Sequence, residues 1–163
     1  MTVTVTLVVG ADGSTSKHGS SAGVSSAADK SAFLERRRSA DCILIGGNTA
    51  RTEPYQRTPV PVVVLSRSLV NPLPGNHRAH IWNLNPIDAI ARAQKNFGSI
   101  LHIEAGAEII NTLLEANAVD VLELSITDVT GGDDPIDIEK LLSYFSHKSE
   151  KVVDGTRLIS ASR

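Results

Sequence analysis

The sequence is poor in cysteine and aromatic residues and has no long apolar run. Its single cysteine, Cys42, can form no internal disulfide, and its place in an apolar segment indicates a buried small side chain rather than a reactive thiol. No apolar stretch approaches the roughly 20 residues needed to cross a bilayer. The amino terminus alternates Thr with Val and lacks the cationic region of a secretory signal. We therefore predict a cytoplasmic protein without a membrane span.

An excess of positive charge is also missing. The formal net charge is -2, and the one basic cluster, Arg36 to Arg38, is typical of a helix end, where arginines complement the helix dipole. The five histidines include no pair at the i, i+4 spacing of a helical metal site. The sequence therefore predicts no nucleic-acid partner and no metal site.

Apolar segments of two kinds alternate along the 163 residues, a length typical of one domain. Short β-branched runs predict strands, and segments with helical periodicity predict the helices between them. This order predicts an α/β fold with a mainly parallel sheet flanked by helices and an antiparallel C-terminal edge. The predicted strands are 2–10, 42–45, 60–65, 80–84, 100–103, 121–126, 151–153 and 157–160; the predicted helices are 27–38, 86–96, 108–116 and 138–145.

The segment DCILIGGNTARTEP (41–54) is the most informative stretch. Its buried strand ends in Gly46 and Gly47, and glycines at such a strand end let another molecule approach the backbone. Thr49 and the amides that follow it can hold a phosphate, and Arg51 supplies a matching charge. The alternative is a tight strand-to-helix turn that binds nothing.

Three segments in a definite order resemble the reductase domain of riboflavin biosynthesis, a pyrimidine reductase that shares the dihydrofolate reductase fold. The resemblance extends over residues 3 to 130. It rests on the following matches: the turn 10–13 (GADG), the helix end 37–41 (RRSAD), the Gly-Gly-x-Thr turn at 46–49, the Glu-Ala-Gly turn at 104–106, Leu113-Leu114, and 119–122 (VDVL).

The resemblance implies a reaction and an organisation. In this family NADPH gives a hydride to the sugar C1 of a diamino-ribosylamino-pyrimidinone 5'-phosphate, and the ribose becomes a ribityl chain. The cofactor carries the reactivity and the protein supplies orientation and electrostatics, which agrees with the lack of a Ser-His-Asp constellation. The family also implies one reductase-like domain over 1–163 and a homodimer.

The resemblance further assigns cofactor-binding roles. A glycine at 106 would let the helix amides after it close on the pyrophosphate. Alternatively, the turn is a helix start packed closely on the sheet. The residues that the resemblance places against NADPH are Val9, Gly23, Gly46, Gly47, Thr49, Arg51, Ser66, Gly106, Ala107, Glu108 and Ile109. Arg51 favours the 2'-phosphorylated dinucleotide over NADH.

On the substrate side, the resemblance implies that Asp12 and Glu104 act in catalysis. It also places four residues at the substrate: Ser21, Arg37, Glu53 and Arg57. Each of the main candidates has an alternative. Arg37 can be a solvated helix-end charge, Glu104 a cap on the next helix, and Asp12 part of a simple Asp-Gly turn.

The sequence departs from the family pattern in several places. Gly23 stands where the family commonly has Trp, and Ser66 stands where it has a strand-end Asp. The family usually has a pair of acidic residues shortly before the proline after the Gly-Gly-x-Thr turn, whereas this chain has Thr52-Glu53-Pro54. The stretch 71–80 is shorter than in typical members. No zinc deaminase motif is present. Two other functions therefore stay open: a non-catalytic nucleotide-binding relative with an eroded substrate pocket, and an unrelated α/β binding protein.

A dihydrofolate reductase-like enzyme for a pteridine is a further alternative. Such an enzyme would carry a carboxylate in its first helix facing the pteridine. The candidates are Asp29 and Glu35, and the sequence does not distinguish between them.

Overall fold

A computed structural model describes residues 1–163. Its regular elements, in chain order, are β1 (Thr2–Val9), a short 3-10 helix (Ser21–Gly23), α1 (Ala27–Arg38), β2 (Cys42–Gly46), α2 (Gly47–Thr52), β3 (Val62–Leu65), β4 (Ala79–Trp82), α3 (Pro86–Phe97), β5 (Ile100–Ile103), α4 (Ala107–Glu115), β6 (Val121–Ile126), α5 (Ile138–Ser143), β7 (His147–Val153) and β8 (Thr156–Ser162). The chain divides into two compact units, residues 1–5 with 36–119, and residues 6–35 with 120–163.

The first unit is built on parallel strands. They lie in the order β4-β3-β2-β5-β1, with the part of β1 from Thr2 to Val5 paired to β5. Every pairing in this unit is parallel. All five residues of β2 are buried, which explains its continuous apolar run, since a central parallel strand is covered on both faces.

Helices cover this parallel sheet. The helix α3 packs against β3, β5 and α4, and α2 packs against β2 and β3. Pro86 opens α3 and Asn85 caps it, its side chain accepting a hydrogen bond from the amide of Asp88 at 2.9 Å. One cluster of the core combines β2 and β3 side chains with three residues from outside the strands: Ile43, Ile45, Val62 and Val64 with Ala50, Tyr55 and Leu73.

The second unit contains an antiparallel set, β6-β8-β7. The hairpin between β7 and β8 turns on Asp154 and Gly155, both with positive φ, as a two-residue type I' turn requires. Ser25 and Ser26 both precede α1, and Ser26 is the one that caps it, by accepting a hydrogen bond from the amide of Asp29 at 3.1 Å.

The predicted fold class, α/β with mainly parallel strands and an antiparallel C-terminal edge, is confirmed. The first helix has the predicted bounds, 27–38, whereas β7 begins at His147, four residues before its predicted start. Helical periodicity predicts a core face of Ala28, Ala32 and Phe33 in α1 and of Ile87, Ile90 and Ala91 in α3, and both predictions are partly wrong. In α1 the buried side chains are Asp29 and Arg37, while Ala28, Ala32 and Phe33 are only half-buried.

In α3 the helical face that is buried contains Ala89, Ile90 and Ala93. The predicted face was wrong for two residues, since Ile87 and Ala91 are exposed. No helix combines the length and apolar character that a bilayer span requires.

Candidate functional site

The carboxyl ends of β2, β3 and β5 meet at one edge of the parallel strands. Leu44 lies opposite Ile103, and Gly46 lies opposite Leu65. The amide of Glu104 donates to the carbonyl of Leu44 at 3.0 Å, which ties the segment after β5 to β2. The two glycine-containing turns of the sequence, at 46–47 and at 104–106, are therefore neighbours.

Contacts at Gly46 and Gly47 involve three other predicted cofactor residues, Ile109, Arg51 and Ser66. A Cβ added at Gly46 would lie 3.1 Å from Cδ1 of Ile109 in the first turn of α4. A Cβ at Gly47 would lie 3.2 Å from Nη1 of Arg51 and 3.3 Å from Oγ of Ser66. A side chain at either glycine would therefore require its neighbours to shift by a few tenths of an ångström.

The helices that follow these strands begin without side-chain caps. Gly46 precedes α2 and Gly106 precedes α4, and neither start has a capping side-chain hydrogen bond. The first amides of a helix have no partner inside the helix, so the exposed start of α4 at Ala107 and Glu108 presents free donors and the positive dipole end. This arrangement suits a phosphate group.

The fold does not require glycine at position 106. Its φ of -73° is open to any residue, and a Cβ there would meet no atom within 4 Å. Close packing of this turn on the sheet therefore does not require glycine at this position. Open space above an uncapped helix start fits a group that approaches the backbone from outside the chain.

Arg51 lies at the surface beside this edge. Its Nη2 donates to Oδ1 of Asn48 at 2.5 Å, which holds the guanidinium next to Gly47. Thr49 is half-buried, and its carbonyl accepts from the amide of Glu53 at 3.0 Å at the end of α2. A cation is thus available near the glycine turn.

A buried polar cluster surrounds Glu104. Arg37 donates through Nε to both carboxylate oxygens, at 2.9 and 3.1 Å, and through Nη2 to Oε2 at 2.6 Å. Tyr55 donates its hydroxyl to Oε2 at 2.6 Å, and the Arg37 guanidinium lies 4.8 Å from the Tyr55 ring centroid. A buried carboxylate needs such partners, since an unpaired one would be very costly.

The protonation of this cluster follows from burial and from the charge of Glu104. Burial works to lower the pKa of Arg37, but the hydrogen bonds and charge of Glu104 outweigh it and raise that pKa. Burial, reinforced by Glu104, raises the pKa of Tyr55 well above its usual range, so the phenol stays a donor. Burial lowers the pKa of His102, whose Nδ1 lies 4.0 Å from Oε1 of Glu104 without a hydrogen-bond partner.

The model of the RibD C-terminal domain matches residues 1–143. The chain belongs to this family. The resemblance inferred from the three sequence segments is thereby confirmed. A comparison with curated proteins gives no match.

Solved structures agree on the fold. A pyrimidine reductase-like protein from Corynebacterium diphtheriae is 17% identical with a TM-score of 0.73, over 99% of this chain and 91% of that one. Dihydrofolate reductase from Enterococcus faecalis, complexed with NADP(H), is 15% identical with a TM-score of 0.72, over 99% and 96%. The fold is therefore dihydrofolate reductase-like.

A bifunctional relative has the same fold over part of its length. The deaminase and 5-amino-6-(5-phosphoribosylamino)uracil reductase from Thermotoga maritima is 14% identical with a TM-score of 0.72, and the alignment covers 99% of this chain and 56% of that one. Membership of the family and this fold support a reductase-type domain of the riboflavin pathway. They exclude the alternative of an unrelated α/β protein.

The structure decides the alternatives that were stated for Arg37 and Glu104. Arg37 is only 8% exposed, so it is not a solvated helix-end charge. Glu104 does not cap α4, since the cap position is Gly106 without a side-chain bond. Tyr55 was missed by the sequence analysis, although a tyrosine directly after Thr-Glu-Pro, in a chain with 4% aromatic residues, was an available signal.

The other predicted substrate residues of the first unit lie away from the glycine turns. Glu53 is the C-terminal cap residue of α2. Arg57 is exposed in the loop before β3, at the amino end of that strand, whereas Gly47 and Ser66 follow carboxyl ends.

The second unit contains Asp12, whose carboxylate stabilises a turn. It accepts from the amides of Ser14 at 3.1 Å and Gly131 at 2.7 Å, and also from the Ser14 hydroxyl. The Ser14 hydroxyl is the main cause that lowers the pKa of Asp12 to about 2, followed by the Gly131 amide. Gly13 follows with φ of 85°, so the Asp-Gly pair is part of a structural turn whatever its role in catalysis.

Other predicted site residues lie in the second unit. The side chain of Val9 is fully buried, and its carbonyl accepts from the amide of Thr127 at 2.9 Å. Ser21 begins the short 3-10 helix. The candidates for a pteridine carboxylate differ in exposure: Asp29 is buried and accepts from Oγ of Ser25 at 2.6 Å, whereas Glu35 is exposed.

Close contacts with the loop backbone surround Gly23, the residue that stands in place of the family's tryptophan. A Cβ at this position would lie 2.2 Å from the carbonyl oxygen of Lys17 and 2.8 Å from its Cβ. The loop backbone therefore occupies the space that a side chain at residue 23 would need. A tryptophan at residue 23 therefore cannot be accommodated in this loop without a backbone shift.

We expect Gly23→Ala to lower the free energy of unfolding by about 1–3 kcal/mol, because the added methyl overpacks against backbone. Gly19→Ala is not a suitable comparison, since Gly19 has φ of 80°. Ala22→Ser, at an exposed neighbour, is the control. Urea unfolding of the three proteins measures the effect, and equal stability of Gly23→Ala and wild type would contradict the packing described.

Proposed function

We propose that the protein is an NADPH-dependent reductase that transfers a hydride to the sugar C1 of a diamino-ribosylamino-pyrimidinone 5'-phosphate. The observation that carries the proposal is the open, uncapped start of α4 at Gly106, next to the Gly46-Gly47 turn. Family membership supports the reductase class. The NADP(H) complex of the structurally similar dihydrofolate reductase supports the choice of cofactor.

The residues at the strand ends fit a dinucleotide. The amides of Ala107, Glu108 and Ile109 would hold its pyrophosphate, because they are free donors at a positive helix end. Gly46 and Gly47 would form the flat floor beneath it. The bound cofactor supplies the hydride, and the protein binds, orients and shields the reacting groups.

Glu104 can still accept a hydrogen bond from a ligand. Oε2 accepts from Nε and Nη2 of Arg37 and from the hydroxyl of Tyr55, whereas Oε1 accepts only from Nε, which leaves one acceptor position on Oε1. We propose that an amino group of the pyrimidine takes the remaining position. Tyr55 and Arg37 would fix the orientation of the carboxylate.

A specific observation favours a second candidate, a nucleotide-binding relative without reductase activity. Arg37, Glu104 and Tyr55 satisfy one another, and all three are at most 8% exposed. The guanidinium that the family would use for the substrate phosphate is therefore already engaged by a carboxylate of the same chain.

Two measurements test these proposals. Quenching of NADPH fluorescence measures cofactor binding, and the decay of the NADPH absorbance band with the diamino-ribosylamino-pyrimidinone phosphate measures reduction. Binding with turnover supports the reductase. Binding without turnover supports the second candidate, and no binding overturns both.

Arg51 provides a prediction about cofactor preference. Its guanidinium lies beside Gly47 and is held by Asn48, where it can pair with the 2'-phosphate of NADPH. Arg51→Gln should weaken NADPH binding about tenfold, since one charged pair to phosphate is lost. NADH binding should be unchanged. Equal losses for both nucleotides would show that Arg51 does not contact the 2'-phosphate.

We also propose a single functional domain over 1–163 that forms a homodimer in the cytoplasm. The strand β7 supports the dimer, because it pairs only with β8 and all seven of its residues are exposed. Its other edge is free to pair with a second copy. Light scattering on the purified chain tests this, and a monomer at micromolar concentration would contradict it.

A further inference from the structure

An open surface cavity of about 370 Å³ lies in the first unit, away from the glycine turns. It is formed by the loop before β3 and the loop before β4. Its lining consists of two continuous segments, 56–59 (Gln, Arg, Thr, Pro) and 75–78 (Gly, Asn, His, Arg). Its volume is in the range of small-molecule sites.

Asn76 holds the two loops together. It is buried, and its Nδ2 donates to the carbonyl of Tyr55 at 2.9 Å and to Oγ1 of Thr58 at 3.1 Å. Its Oδ1 accepts from the amide of Arg78 at 3.0 Å. Because one buried side chain bonds to both walls, the cavity keeps its shape without a ligand, which reduces the entropic cost of binding.

The lining is cationic in a chain whose net charge is negative. Arg57, His77 and Arg78 line the cavity, and no carboxylate does. Neither the Arg37–Glu104 pair nor the Arg157–Glu150 pair involves a residue of this lining. Arg78 donates through Nη1 to the carbonyl of Pro59, which fixes its guanidinium at the rim.

The cavity lies away from the edge at which the carboxyl ends of β2, β3 and β5 meet, where we propose that the cofactor binds. Its segments precede β3 and β4, whereas Gly47 and Ser66 follow the carboxyl ends of β2 and β3. The four residues of β3 span about 13 Å. Tyr55 connects the two regions, since its carbonyl accepts from Asn76 and its hydroxyl donates to Glu104.

We propose that this cavity binds the phosphate group of a small phosphorylated molecule. Two guanidinium groups and an imidazole can surround a phosphate with directed donors, and guanidinium pairs with phosphate bidentately. A pentose phosphate fits the volume. The family resemblance links only Arg57 to a substrate, and nothing assigns a role to His77 or Arg78.

Calorimetric titration of the full-length protein with inorganic phosphate and with ribose 5-phosphate, at saturating NADPH, tests the proposal. We expect both to bind and Arg57→Gln to weaken both about tenfold. Arg57 makes no ion pair, so this variant should fold normally. Arg78→Gln should give a similar loss, and Lys95→Gln, the same charge change on an exposed part of α3, should give none.

The outcomes separate the sources of the phosphate. If Arg57→Gln weakens phosphate binding and also raises the KM for the pyrimidine substrate about tenfold, the site holds the substrate's own phosphate. If KM is unchanged, the site holds a separate phosphorylated molecule. No phosphate binding by wild type, or equal binding by Arg57→Gln and Lys95→Gln, would overturn the proposal. A protein that fails to oxidise NADPH but still binds phosphate would overturn only the reductase function.

Discussion

Replacing Arg37 by methionine is expected to lower the free energy of unfolding by about 3–5 kcal/mol, because Glu104 would stay buried without its cationic partner. Arg37 supplies two of the three donor groups on this carboxylate, and both side chains are nearly inaccessible to solvent. Tyr55 alone would remain as a donor. Chemical denaturation followed by circular dichroism measures the loss.

Two variants make this result specific to the ion pair. Arg38→Met changes an exposed neighbour on the same helix and should cost less than about 0.5 kcal/mol. The double variant Arg37→Met with Glu104→Leu removes both charges and should recover part of the loss, since a buried pair can be replaced by apolar groups of similar volume. A loss below about 1 kcal/mol for Arg37→Met would show that Glu104 is solvated rather than paired.

Replacing Gly106 by valine is expected to weaken NADPH binding about a hundredfold while leaving the fold intact. The backbone at this position suits any residue, and a Cβ would meet no atom of the protein. The valine side chain would instead occupy the space before the free amides of α4, so several hydrogen bonds to the pyrophosphate would be lost. Fluorescence titration with NADPH measures the change.

The free energy of unfolding of Gly106→Val should distinguish a loss of NADPH binding from damage to α4. Gly106→Val should change the free energy of unfolding by about 1 kcal/mol or less, the scale of a helix-cap substitution. Ala116→Val, at the exposed far end of α4, should leave NADPH binding unchanged. If Gly106→Val binds NADPH as wild type does, the pyrophosphate does not lie at α4.

Much of the fold could be predicted because its signals are local. The strand at Cys42 is a continuous apolar run, and the helix after Ser26 has its own capping pair with Asp29. The strand β7 lacked such a signal. Its residues are mostly polar and are exposed on both faces, so only pairing with β8 makes His147 to Glu150 a strand.

The sequence by itself determined the α/β class, the order of its elements and the edge at which its two glycine-containing turns meet. Parallel strands bring their carboxyl ends together, so glycines that follow two such strands are enough to predict a shared edge. Only the tertiary structure decided what surrounds Glu104. Its partners Arg37 and Tyr55 lie 67 and 49 residues away along the chain, and no local pattern encodes contacts over such separations. The same holds for Asn76, whose bonds to Tyr55 and Thr58 form a cavity from two loops that are separate in the sequence.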